Sequence, residues 1–131
     1  MDLPADTPRL FRMTLLVSDL KRAAEFYGQL LGIGGQQVSP NRYYFDCRGT
    51  ILALVEPPDK KVLRQPDSPL RSMYFAVHDI EAVHRRARQA DCRRLDQRIE
   101  VQHWGERAFF VEDPFGNHLA FIDEATLFVG R

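Results

Sequence analysis

The chain has 131 residues, 44% of them hydrophobic and 27% charged, enough for one folded domain with its own core and too few for two ordinary ones. Eighteen Lys and Arg balance eighteen Asp and Glu, so charge gives no reason to expect a nucleic-acid partner or an anionic membrane surface, and a small or uncharged ligand is expected instead. No run approaches a membrane span and residues 1–9 lack the apolar core of a signal peptide, so a cytoplasmic protein is expected.

Residues 1–9 are expected to fray. Leu10 to Val17 then predicts a strand, and Ser18-Asp19 can cap a helix. Leu20, Ala23, Ala24, Tyr27, Leu30 and Leu31 recur at helical spacing, with Lys21, Arg22 and Glu25 opposite and Gly32 as the stop. Gln36 to Ser39, Arg42 to Asp46 and Thr50 to Glu56 predict three short strands separated by Pro40-Asn41 and Arg48-Gly49 turns. Pro57 to Pro69, with four of the eight prolines, reads as a linker.

Beyond the linker the pattern restarts. Met73 to Val77 predicts a strand and Asp79 a cap; Ile80, Val83, Ala87 and Ala90 mark a helix face, with Arg85, Arg86 and Arg88 turned to solvent. A strand is expected near Arg94 to Val101. The runs Ala108 to Val111 and Leu119 to Ile122 flank Asp113-Pro114-Phe115-Gly116-Asn117, a tight hairpin. Strand alternation puts Ala108, Phe110 and Glu112 on one face, and His118, Ala120 and Ile122 on one face of the second arm. Asp19 and Asp79, sixty residues apart, also align Met13 with Met73 and Val17 with Val77, so the chain reads as an internal β-α-β-β-β repeat. One such unit cannot cover both faces of its sheet; two could enclose a groove, within one chain or by exchange between two. Cys47 and Cys92 are isolated and read as reduced thiols, with one bridge as the alternative.

Met13 to Leu20 with Phe26-Tyr27 and Leu31-Gly32, then Tyr74 to Ile80, then Trp104-Gly105 and Asp113 to Asn117 resemble, in order, the vicinal oxygen chelate superfamily. That superfamily holds glyoxalase I, bleomycin- and fosfomycin-resistance proteins and extradiol dioxygenases, and the bleomycin-resistance-like branch is the nearest likeness. The resemblance implies an α+β fold of two βαβββ modules, with paired curved mixed sheets around a central cleft and the helices outside. It also implies a homodimer. Residues 1–131 are then a single domain, with modules at about 10–56 and 70–123, a linker at 57–69 and a tail at 124–131.

Metal-dependent members of that superfamily hold a divalent ion on four inward side chains, typically His and Glu. Carried over by motif, those positions are Arg12, Ala53, Ser72 and Ala120. A permanent cation, two methyl groups and a neutral hydroxyl cannot hold a transition metal, so no metal or other cofactor is expected. A slip that turned Glu56 inward would add only one carboxylate.

Arg12 could hold a ligand carboxylate or phosphate in a bidentate contact, or be an outward arginine, or pair with Glu56 or Glu112. His118, on the face of Ala120, could bond a ligand or move a proton as the one catalytic candidate, or be a half-exposed histidine beside a turn. Trp104 could stack on a planar ligand or plug one end of the core; bleomycin-resistance-like members carry Trp-Gly here. Ser72, Tyr74 and Phe110 complete the expected ligand wall, against the alternative of a packed core without a cavity. His78 and His84 are expected to be solvated. The leading expectation is metal-independent binding of an aromatic or hydrophobic small molecule, for sequestration or carriage. The alternative is a glyoxalase-like lyase, isomerase or dioxygenase with a displaced metal or a His/Arg acid–base site. An accessory domain acting through its dimer surface is a third possibility.

Overall fold

The computed structural model describes residues 4–63 and 72–129. Strand β1 (Arg12–Leu16) leads into helix α1 (Leu20–Leu31), followed by β2 (Gln36–Ser39), β3 (Arg42–Cys47) and β4 (Thr50–Val55). The second half runs β5 (Ser72–Val77), α2 (Ile80–Gln89), β6 (Arg94–Leu95), β7 (Glu100–Val101), β8 (Arg107–Glu112) and β9 (His118–Asp123). Residues 57–63 of the expected linker contain a short 3-10 turn, Lys60–Leu63, and the rest of it lies outside the described residues.

Local chemistry sets the helix ends. Asp19 accepts the Arg22 N–H at 3.1 Å and Asp79 the Ala82 N–H at 3.1 Å, satisfying N-terminal donors that have no helical partner. Gly32 ends α1 at φ 69°, a left-handed conformation open to glycine. The strand expected at Arg94 to Val101 divides instead into β6 and β7, both paired to β8, with Asp96 bending the chain between them: its carboxylate accepts the Phe110 N–H at 3.0 Å.

The fold is α+β, and the described residues form two α-helices and two mixed sheets that do not close on themselves. The first sheet has the order β1-β4-β3-β2; the second has β5-β9-β8-β6, with β7 also on β8. In each sheet the strand before the helix pairs in parallel with the last strand of its half. Each helix covers one face of its own sheet. Leu52, Leu54 and Phe45 beneath α1, and Phe109, Val111, Leu119 and Phe121 beneath α2, join Tyr27, Leu30, Ile80 and Val83 in one shared core.

Polar bridges tie the halves together. The Tyr27 hydroxyl donates to Asp113 at 2.6 Å, Arg22 pairs with Asp91 at 2.6 Å, and Arg86 donates to the carbonyls of Leu30 and Leu31 at 3.1 and 3.3 Å. Arg86 therefore corrects the expectation that it faces solvent: it satisfies the last carbonyls of α1. Among the described residues no helix packs on the opposite face of either sheet, and Arg12, Tyr74, Phe110 and His118 lie on those faces.

Candidate functional site

Alternation along β9 sends His118, Ala120 and Ile122 to the helix-free face of the second sheet. Register sets Ser72, Tyr74 and Ala76 of β5 beside them, and Glu112, Phe110 and Ala108 of β8 on the other side. Ala108, Ala120 and Ile122 form a buried apolar floor. Tyr74 and Phe110 are both direct neighbours of Ala120, and their rings meet edge to face at 6.3 Å. Tyr74 stays 57% exposed although it stands on this floor, so an aromatic surface is presented to solvent.

One register step away, Ser72, His118, Glu112 and Arg94 occupy a single row across β5, β9, β8 and β6. Glu112 lies within ion-pair reach of Arg93 at 3.4 Å and Arg94 at 3.9 Å. A shallow groove of about 460 Å³ is lined by Arg94, Phe110, Glu112 and His118, among others. The side chain of Ser72 lies outside the described part of the structure.

Arg12 is on the other sheet. Its guanidinium carbon sits 5.2 Å from the centre of the Phe11 ring and 5.4 Å from that of Tyr44, within cation–π range. The pairing with Glu56 or Glu112 weighed above does not form. The Glu56 carboxylate accepts the Leu20 N–H at 2.7 Å and pairs with Lys60 at 2.8 Å. The Lys60 contact, then the Leu20 N–H, holds the Glu56 carboxyl below its usual range. Glu56 thus caps α1 and does not turn inward.

Trp104 precedes β8 at the end opposite His118, and the five residue steps from Arg107 to Glu112 separate the two ends by roughly 17 Å. Its indole N–H donates to the Glu106 carboxylate at 2.7 Å, and the other oxygen of Glu106 accepts the Phe128 N–H at 2.9 Å. The indole donor is therefore already used, while the ring remains 38% exposed. The structure brings Tyr74, Phe110 and His118 together; Trp104 stands at the far end of that sheet, and Arg12 is on the other sheet.

Sequence reasoning misplaced His84, which is buried rather than solvated: it bonds the Asp96 carbonyl at 2.8 Å and stands edge-on to Phe109 at 4.8 Å. His78 is exposed as expected and faces Glu124 at 3.0 Å. Glu112, placed by strand alternation on the face of Phe110, stands directly across from His118. One neighbour was missed: Tyr44 lies under Arg12, and only the register of β3 on β4 reveals it.

At two of the four superfamily ligand positions the structure shows fully buried methyl groups, Ala53 and Ala120, each beside an aromatic cross-strand partner, Tyr44 and Phe110. With a cation at Arg12, this donor set does not fit a divalent ion, which needs neutral imidazole or carboxylate ligands. Among the described residues no group of three His, Cys, Asp or Glu side chains stands close enough to hold one elsewhere. Cys47 and Cys92 are both free thiols.

Two half-units, one of βαβββ order and one with its strand after the helix split into β6 and β7, with open mixed sheets define the class, and sequence comparison agrees. Residues 9–121 match the model of the Glyoxalase/Bleomycin resistance protein/Dioxygenase superfamily, and the chain belongs to that family. Its fold is similar to that of a bleomycin resistance determinant encoded on the transposon Tn5, at 20% identity and a TM-score of 0.68 over 89% of this chain and 98% of that one. Lactoylglutathione lyase from Agrobacterium tumefaciens superposes with a TM-score of 0.67 at 18% identity, over 90% and 95% of the two chains. A glyoxalase-related enzyme from Fulvimarina pelagi gives 0.73 at 18% identity, over 95% and 94%. At these identities the likeness is one of fold. No curated protein sequence matches the chain. Among the described residues no helix is long and apolar enough to cross a membrane.

Proposed function

We propose that this chain is a single-domain, homodimeric protein that binds an aromatic or hydrophobic small molecule without a resident metal ion, sequestering or carrying it. The observation that carries the reading is the pair of exposed Tyr74 and half-buried Phe110 above the floor of Ala108, Ala120 and Ile122. A planar apolar ligand laid on this surface gains stacking and buries aromatic area, while His118 at the polar end supplies orientation. Trp104 would contact only a ligand long enough to reach the far end of the sheet, and Arg12 would engage it from the other sheet.

The two helix-free faces support the dimer, since a second copy laid on one of them would enclose a cleft. The test is a titration with indole as an uncharged aromatic probe, followed by amide chemical shifts. Shifts should centre on β5, β8 and β9, and Tyr74→Ala should weaken binding about fivefold, the worth of one aromatic pair. Indole shifts confined to other strands would refute the site. Elemental analysis of protein purified without chelators should find no stoichiometric transition metal; one per chain would refute the metal-free reading.

A second reading, as a lyase, isomerase or dioxygenase, is favoured by the placement of Glu112 across from His118, since a carboxylate neighbour can orient a general base. Solvent-deuterium incorporation into a carbonyl substrate panel, abolished by His118→Gln, would establish it; no incorporation would remove it.

A further inference from the structure

The helix-free face of the first sheet carries more than Arg12. We propose that Arg12, Arg42 and Tyr44 form a binding site for an oxyanion, carboxylate or phosphate, borne by a small-molecule ligand; this rests on the small-molecule reading above and gives that ligand its charge.

The three side chains share one face. Arg12 stands opposite Ile51, Tyr44 opposite Ala53 and Arg42 opposite Val55, so Tyr44 lies midway between two arginines that start from opposite ends of the sheet. Both converge on it. Arg12 crosses β4 to lay its guanidinium over the Tyr44 ring, and Arg42 Nη1 donates to the Tyr44 hydroxyl at 3.2 Å. Ala53, fully buried between them, has only a methyl group and leaves the crossing open.

The way each group is held leaves its donors free. A cation–π contact consumes none of the Arg12 N–H donors, which stay available to a planar bidentate acceptor. Arg42 spends one N–H on Tyr44, whose hydroxyl accepts that bond and keeps its own proton to donate. Several other arginines are committed: Arg22 to Asp91, Arg86 to two helix carbonyls, Arg107 to Glu81 and Asp123. Among the described residues, neither Arg12 nor Arg42 has a carboxylate within 4.0 Å.

The acidic groups nearby are engaged elsewhere. Asp46, on the same face, accepts the Gly49 N–H at 2.7 Å, and Glu56, past the end of β4, holds Leu20 N and Lys60. Arg9, 5.4 Å from the other ring in the patch, Phe11, adds a third positive charge. A net-neutral chain thus concentrates positive charge and unspent donors around one phenol, the environment that selects an oxyanion.

The test is a chemical-shift titration with benzoate, phenyl phosphate, inorganic phosphate and the neutral isostere benzamide, with indole as the uncharged control. Benzoate or phenyl phosphate should shift the Arg12, Arg42 and Tyr44 signals, and whichever binds more tightly identifies the oxyanion. Arg12→Gln and Arg42→Gln should each weaken that binding about tenfold, the loss of one charge-assisted contact. Tyr44→Phe, which keeps the ring under Arg12, should weaken it less. Arg12→Gln is exposed and should fold normally, with an unchanged urea midpoint.

The proposal is overturned if benzamide binds as tightly as benzoate, if neither arginine variant changes anion affinity, or if no anion shifts these signals at tens of millimolar. Indole binding at Tyr74 and Phe110 in that last case would leave the small-molecule reading standing and remove only the oxyanion site.

Discussion

Replacing Tyr27 by phenylalanine removes one hydroxyl from the centre of the molecule and leaves the packing volume almost unchanged. That hydroxyl donates to Asp113 Oδ2 at 2.6 Å, and both residues are fully buried. Asp113 keeps its other donors: Asn117 Nδ2 at 2.8 Å on the same oxygen, and the N–H groups of Phe115 and Asn117, both at 2.8 Å, on Oδ1. A hydrogen bond to a charged group contributes about 1.5–3 kcal/mol, and Tyr27→Phe should lose that amount.

With a urea slope of about 1–3 kcal/mol/M, the unfolding midpoint should fall by roughly 1 M at neutral pH. The pH dependence adds a second signature. Burial first, then the Asp113 charge, raises the Tyr27 hydroxyl well above its ordinary value of 10.0. The folded state then keeps a proton that the unfolded state releases, so this stability is complete below pH about 10 and declines as pH rises above it. Wild type and Tyr27→Phe should therefore converge in stability above pH 10. A variant within about 0.5 kcal/mol of wild type at pH 7, or a gap that does not narrow in alkali, would show that the hydroxyl and Asp113 are not coupled as described.

Two further outcomes follow from the same packing. At Gly32, φ is 69° and an added Cβ would lie 2.8 Å from the Arg86 guanidinium carbon, so Gly32→Ala should destabilise by about 1–2 kcal/mol from the left-handed backbone alone, read by thermal melting. The Cys92 thiol is pushed up from 9.0 to about 11, mainly by burial and then by Asp91 and Asp113, so alkylation at pH 8 should run about a hundredfold slower in the folded protein than in urea. Equal rates in both would contradict that burial.

The sequence made visible whatever depends on neighbours a few residues apart. The apolar spacing and caps of both helices are local, and α1 ends where Gly32 permits a left-handed turn. The hairpin at Asp113 to Asn117 is local as well, since Asp113 folds back on Phe115 and Asn117 and Gly116 takes φ 92°. The sixty-residue repeat carried the two-unit architecture, and alternation placed Phe110, His118 and Ala120 on one face.

What required the tertiary structure was every pairing between distant segments. Tyr27 and Asp113 are 86 positions apart, and nothing in either neighbourhood announces the bond. His84 sits on an ordinary-looking helix, yet Phe109 and the Asp96 carbonyl bury it. Arg86 has a solvent-side helix position and still reaches the end of α1 in the other half. Arg12 was legible as a candidate, but the Tyr44 and Arg42 beside it are not, because a one-residue slip of β3 on β4 would send both to the opposite face. Local chemistry thus determined the elements of this chain; strand register and the packing of the two halves decided which side chains meet.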